Sequence, residues 1–92
     1  MYYAYILQSK DFPNQTYIGS TGDLRSRLSQ HNAGKSIHTN KFKPWVLVAY
    51  VALPEKHLAE QLENYLKSGS GRAFAQKHLL MKNQRDPKTP PG

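Results

Sequence analysis

Cysteine is missing from all 92 residues. Disulfides, thiolate metal sites and cysteine nucleophiles are therefore excluded. Acid is scarce: six Asp and Glu stand against 13 Lys and Arg, a net charge of +7. No apolar run approaches the roughly 20 residues of a membrane helix. The opening MYYAYILQSKD has no basic stretch followed by a long apolar one, so it does not read as a signal peptide. A cytoplasmic protein without membrane contact is the expectation. Walker loops, HExxH, GxSxG and EF-hand patterns are missing too. His31, His38, His57 and His78 lack metal-ligand spacing, and without cysteine no zinc set forms.

What is present fits one small folded domain. Hydrophobic residues make up 38% of the chain and charged residues 21%, a globular balance. The sequence pI of about 9.8 points to a polyanion, DNA, RNA or an acidic membrane surface, and nucleic acid is favoured over the plain alternative of a merely basic soluble protein.

YYAYILQ (2–8) reads as a strand with Tyr3, Tyr5 and Leu7 on one face. SKDFPNQ (9–15) is turn chemistry, and TYIGS (16–20) a second strand, giving an antiparallel hairpin. Asp23 stands at the cap or first turn of a helix over 24–31, with Leu24 and Leu28 as its core pair and Gly34 as its stop. SIHTNKFKP (36–44) is a basic polar loop. WVLVAYVAL (45–53) is almost continuously apolar, which predicts the central, doubly covered strand. Pro54 and Glu55 open a second helix, whose predicted apolar face is Leu58, Leu62, Tyr65 and Leu66 and whose stop is Ser68-Gly69. Ser70 caps a third helix through Ala73, Phe74, His78 and Met81. The proline-rich 82–92 reads as a disordered polar tail, leaving 1–81 as the domain. The order β-β-α-β-α-α predicts an α/β fold, a small three-stranded antiparallel sheet flanked by helices.

Helical geometry sorts the charged residues. With Leu24 at zero, His31 lies at about 340° and Arg27 at about 300°, so the two are neighbours beside the buried stripe. Arg25 lies roughly 160° from Arg27 and cannot share its site. The plain alternative is a solvated helix with an Asp23–Arg27 ion pair. On the second helix Glu63 flanks the apolar face, about 60° from Glu60, which faces water. It is either a ligand for a hard cation or a partner for Lys67 at i+4. Tyr5 and Tyr17 can meet on one sheet face beside the first helix, or simply pack there.

Tyr3-Ala4-Tyr5 followed by Tyr17-Ile18-Gly19 resembles the motif of the GIY-YIG nuclease domain family. Arg27 and His31 match its R-x-x-x-H element, and Ala59-x-x-x-Glu63-x-x-Leu66-Lys67 its metal-carboxylate helix. HNAGK (31–35) and YLKSGSGRAF (65–74) look like the short stand-alone bacterial members, and the likeness spans about residues 2 to 80. Tyr3-Ala4 departs from the family's Gly-Ile. Asn64 and Asn83 do not convincingly replace the asparagine that many relatives carry after the carboxylate helix.

The resemblance implies phosphodiester hydrolysis dependent on one divalent ion, Mg2+ or Mn2+. It makes Tyr5 and Tyr17 the motif tyrosines, Gly19 the motif glycine, Arg27 the transition-state cation, His31 a proton relay and Glu63 the metal ligand. Which tyrosine is the base stays open. Lys35 and His38 are further candidates from the basic loop. The implied activity is an endonuclease on structured or damaged DNA. Larger members attach a DNA-recognition domain, so here a protein partner could supply targeting. The competing reading is a nucleic-acid-binding module with little turnover, contacting phosphates through Arg25, Arg27, Lys35, Lys41 and Lys43. A protein-interaction domain without nucleic acid fits the charge poorly.

Overall fold

A computed structural model describes residues 1–80. Met81 and the tail over 82–92 lie outside the described residues. The elements are β1 (Tyr2–Ser9), β2 (Thr16–Thr21), α1 (Leu24–Asn32), a short 3-10 turn (Asn40–Phe42), β3 (Trp45–Leu53), α2 (Lys56–Lys67) and α3 (Gly69–His78). The architecture is the expected α/β arrangement, one three-stranded antiparallel sheet flanked by helices.

The sheet order is β2-β1-β3, so β1 is the central strand and β3 an edge. This corrects the reading of β3 as central. A continuous apolar run reports covered faces, not paired edges. Along its first half β3 has both faces covered, with Leu47 packed towards one core and Val48 towards the other. Its second half is open, and Tyr50, Val51 and Ala52 are exposed. A bulge opposite Ile6 and Leu7 shifts the β1–β3 register there.

Two cores result. On one face Tyr5, Leu7 and Trp45 pack with Tyr17, Leu24 and Leu28, so α1 covers this side. On the other, Ile6, Ile18, Leu66 and Ala75 pack with Leu62 of α2 and Leu79, which follows α3. Asp23 caps α1 by accepting from Ser26 N at 3.1 Å, and Gly34 follows the helix at φ 78°. The carboxylate is thus used as a cap, and no Asp23–Arg27 ion pair forms among the described residues.

Two helical faces differ from expectation. On α2 the buried residues are Ala59 and Leu66, with Leu58, Leu62 and Glu63 partly covered. The stripe is therefore turned towards Glu63, and Tyr65 on the opposite flank is exposed. Pro54 precedes the helix instead of opening it, and Glu55 takes the cap position. In α3 the cap is Ser68, not Ser70: its Oγ accepts from Gly71 N at 3.2 Å. Gly71 and Ala75 face inward because the approach to α2 admits only small side chains. Ala73, Phe74 and His78 point outward, with the last two rings 5.0 Å apart.

Candidate active site

The hairpin register builds the first half of the site. Tyr5 pairs with Gly19 and Leu7 with Tyr17, so both tyrosines project from one face. A Cβ at position 19 would lie 2.6 Å from Tyr5 Oη and 2.8 Å from its Cζ. Only glycine lets the Tyr5 ring lie flat across β2 at this point.

Helix α1 supplies the next residues. Leu24 and Leu28 anchor it over this face, which turns His31 inward. The His31 ring lies 4.8 Å from that of Tyr17 and 6.2 Å from that of Tyr5. Its Nε2 is 3.1 Å from Tyr5 Oη, and its Nδ1 is 2.8 Å from Thr39 Oγ1. Thr39 is held in turn, since its carbonyl accepts from Trp45 Nε1 at 2.8 Å. Asn32 exchanges two hydrogen bonds with the Trp45 backbone, fastening the end of α1 to the start of β3. Tyr5, His31 and Thr39 are all at most 2% exposed, so this is a sealed polar chain within a core.

The electrostatics follow from that burial. Desolvation pushes the Tyr5 hydroxyl up to about 12, assisted by Tyr17 and Glu63 and opposed by the Arg27 guanidinium. Burial, and then the Arg27 charge, holds His31 below its ordinary value, so the imidazole is neutral near pH 7. Arg27 thus acts on both members of the pair, as its position one helical turn from His31 requires.

Glu63 comes from the opposite face. Ser20 Oγ donates to its Oε1 at 2.6 Å, and Lys67 Nζ reaches its Oε2 at 2.7 Å. The i+4 lysine pairing expected from the sequence is therefore formed. Partial burial alone would raise the Glu63 carboxyl, but the bonds from Lys67 and Ser20 and the lysine charge outweigh it and hold the group ionised. Among the described residues no cluster of three or more His, Asp or Glu side chains surrounds a metal position. One ionised carboxylate, with one oxygen held by a serine and the other covered by a half-exposed lysine, still suits a hard cation completed by water and substrate. A cleft of about 320 Å³ lies at the end of β2, lined by Ser20, Thr21 and Gly22 with Arg27 on one side and Lys56 and Glu60 on the other; Tyr5, Tyr17, His31 and Glu63 are not among its lining residues.

The remaining candidates lie apart. Arg25 and Lys35 line a shallow groove on the outer side of α1, away from Arg27. His38, Lys41 and Lys43 are exposed in the loop, where Lys41 Nζ lies 5.8 Å from the Phe42 ring centre. Sequence reasoning missed Ser20 and Thr39. A serine and a threonine in polar segments carry no periodic signal, and only the fold reveals their partners.

The GIY-YIG catalytic domain family matches residues 1–77. The chain belongs to this family. Among similar proteins, the structure-specific endonuclease subunit SLX1 of Candida dubliniensis is 38% identical over 85 residues, covering 85% of this chain and 28% of that protein. The Malassezia globosa SLX1 subunit is 42% identical over 67 residues, covering 68% of this chain and 15% of that protein. This chain therefore spans less than a third of either SLX1 subunit. The UPF0213 protein YsiG of Lactococcus lactis is 39% identical over 83 residues, covering 89% of this chain and 76% of that protein. The solution structure of the UPF0213 protein BH0048 of Bacillus halodurans is 37% identical, with a TM-score of 0.49, covering 84% of this chain and 82% of that one. YsiG, of which this chain covers 76%, is a bacterial relative of the short kind expected from HNAGK and YLKSGSGRAF.

Proposed function

We propose that this GIY-YIG domain is a divalent-metal-dependent endonuclease acting on structured or damaged DNA. The observation that carries the reading is that the Tyr5 hydroxyl meets His31, beside Tyr17, within reach of the Arg27 and Glu63 charges. The SLX1 subunits, named as structure-specific endonucleases, support it.

Each residue has a physical task. The forked Arg27 guanidinium, open to the cleft, stabilises charge gained by the phosphodiester. Tyr5 is a poor anion because burial raises it so far. It would move a proton instead: Oη, in a residue only 1% exposed in the free domain, would take one from a water admitted with the substrate while passing its own to neutral His31 Nε2. Tyr17, half-buried with its ring tilted against that of His31, would form the wall that meets the substrate. Glu63, oriented by Ser20, would hold Mg2+ or Mn2+ after Lys67 swings away. The bound ion would neutralise phosphate oxygens and the departing oxygen. Arg25, Lys35, His38, Lys41 and Lys43 would bind flanking phosphates, and a protein partner would supply substrate targeting.

Cleavage of duplexes, junctions, flaps and RNAs, with and without Mg2+ or Mn2+, tests the reading. Arg27→Ala should lower the rate by about 10²- to 10³-fold, the usual cost of one transition-state donor. Glu63→Ala should abolish the metal response while its melting transition persists. Undiminished cutting by a folded Glu63→Ala variant would refute the mechanism. Salt-sensitive binding without turnover on any substrate would favour the binding-module reading.

A further inference from the structure

The basic loop contains one buried side chain that phosphate binding cannot explain. Thr39 is 1% exposed, and its Oγ1 has its hydrogen bond with His31 Nδ1 at 2.8 Å. Its backbone is fixed from two directions, by Trp45 Nε1 on its carbonyl and by its own N–H on Ser36 O at 3.3 Å.

The direction of the chain can be worked out from its far end. Tyr5 is 1% exposed, and its hydroxyl Oη lies 3.1 Å from His31 Nε2. The Tyr5 proton then needs an acceptor inside the core, where leaving it unpaired is costly. The His31 Nε2 at 3.1 Å can take it. A neutral imidazole carries one proton, so a bare Nε2 places that proton on Nδ1. Thr39 Oγ1 must then accept.

We infer that Thr39 is a positioning residue for His31, its hydroxyl accepting from Nδ1–H and so holding the tautomer whose Nε2 is an open acceptor for the Tyr5 proton. The inference rests on the reading of Tyr5 and His31 as a proton-transfer pair. It gives the loop a second task besides charge: residues 36–44 carry the group that sets the acceptor.

The test reads the tautomer directly and needs no cleavage. In the full chain labelled with 15N-histidine, the wild type should show His31 Nδ1 protonated and Nε2 bare near neutral pH. Thr39→Val, close in shape but without the hydroxyl, should move His31 to the Nε2–H form or to a mixture. Thr39→Ser should restore the wild-type pattern. If cleavage occurs, Thr39→Val should reduce kcat by about 10- to 100-fold with KM little changed, the scale seen when outer partners of functional histidines are removed, and Thr39→Ser should recover it. An Nε2–H tautomer in the wild type overturns the inference, as does a Thr39→Val spectrum identical to wild type. Should Thr39→Val not fold, the wild-type tautomer and the Thr39→Ser spectrum still decide. A chain without nuclease activity that shows the Nδ1–H pattern would refute the proposed function and leave the assignment of Thr39 standing.

Discussion

At the scale of single residues, burial does most of the chemical work. Spacing puts His31 at the margin of the α1 core stripe, and the structure carries it fully inside, at 2% exposure. Burial has a consequence for stability. Unfolded, His31 titrates near its ordinary 6.5; folded, desolvation and the Arg27 charge hold it lower. Between those values the unfolded chain binds more protons, so stability is whole above the ordinary value and is lost as pH falls below it. Urea midpoints should therefore decline from about pH 7.5 to about pH 5.5, and His31→Gln should flatten that decline. A midpoint in the wild type that rises with acid over this range would contradict the burial argument. Spacing on one helix is enough to pair Arg27 with His31 and to part Arg25 from both. It cannot show Ser20 or Thr39, because each meets its partner, Glu63 or His31, only through tertiary folding.

At the scale of elements, local chemistry is legible and lateral placement is not. The strand and helix order reads directly from alternation, caps and turn residues, as in the Asp23 cap and the Gly34 stop. The order of strands within the sheet does not, since an apolar run such as WVLVAYVAL looks the same at an edge with covered faces as it does in the centre. The start of α3 is ambiguous for a related reason. SGSG offers two serine caps, and packing selects the earlier one because Gly71 must lie against α2. A Cβ at position 71 would collide with the Tyr65 carbonyl oxygen and lie 2.7 Å from Leu66 Cα, both backbone atoms that cannot step aside. Gly71→Ala should therefore destabilise the fold by about 1–3 kcal/mol, the range for overpacking a tight site. Chemical denaturation checks this, and an unchanged midpoint would mean that α2 and α3 are less closely joined than described. The same shift of the α2 stripe towards Ala59 and Leu66 exposes Tyr65 and draws Glu63 partly inward.

At the scale of the whole molecule, charge is the feature most plainly written in the sequence. A net +7 on a chain this small sets a long-range attraction for polyanions before any specific contact forms. If Lys35, Lys41 and Lys43 meet phosphates, their joint replacement by alanine should shallow the dependence of log affinity on log salt. The expected change is about 0.9 for each phosphate no longer neutralised, up to about 2.7 for three. An unchanged slope, measured by salt titration on a fixed duplex, would move the binding face away from the loop. The division of the molecule into two cores is not visible in the sequence, because β1 serves both through alternate side chains. That division has a further effect at the rim of β2. Among the described residues no strand pairs with the outer backbone of this strand, an arrangement that invites a foreign strand to add. Helices from both faces converge on its C-terminal end, and the cleft between them brings Arg27, Lys56 and Glu60 around Ser20 and Thr21. A strand arriving there would have to bury those charges beside it. The same groups that would greet a phosphate would thus disfavour an incoming peptide, whereas the rim of β3, where Tyr50 and Val51 stand exposed, carries no such charges among these residues.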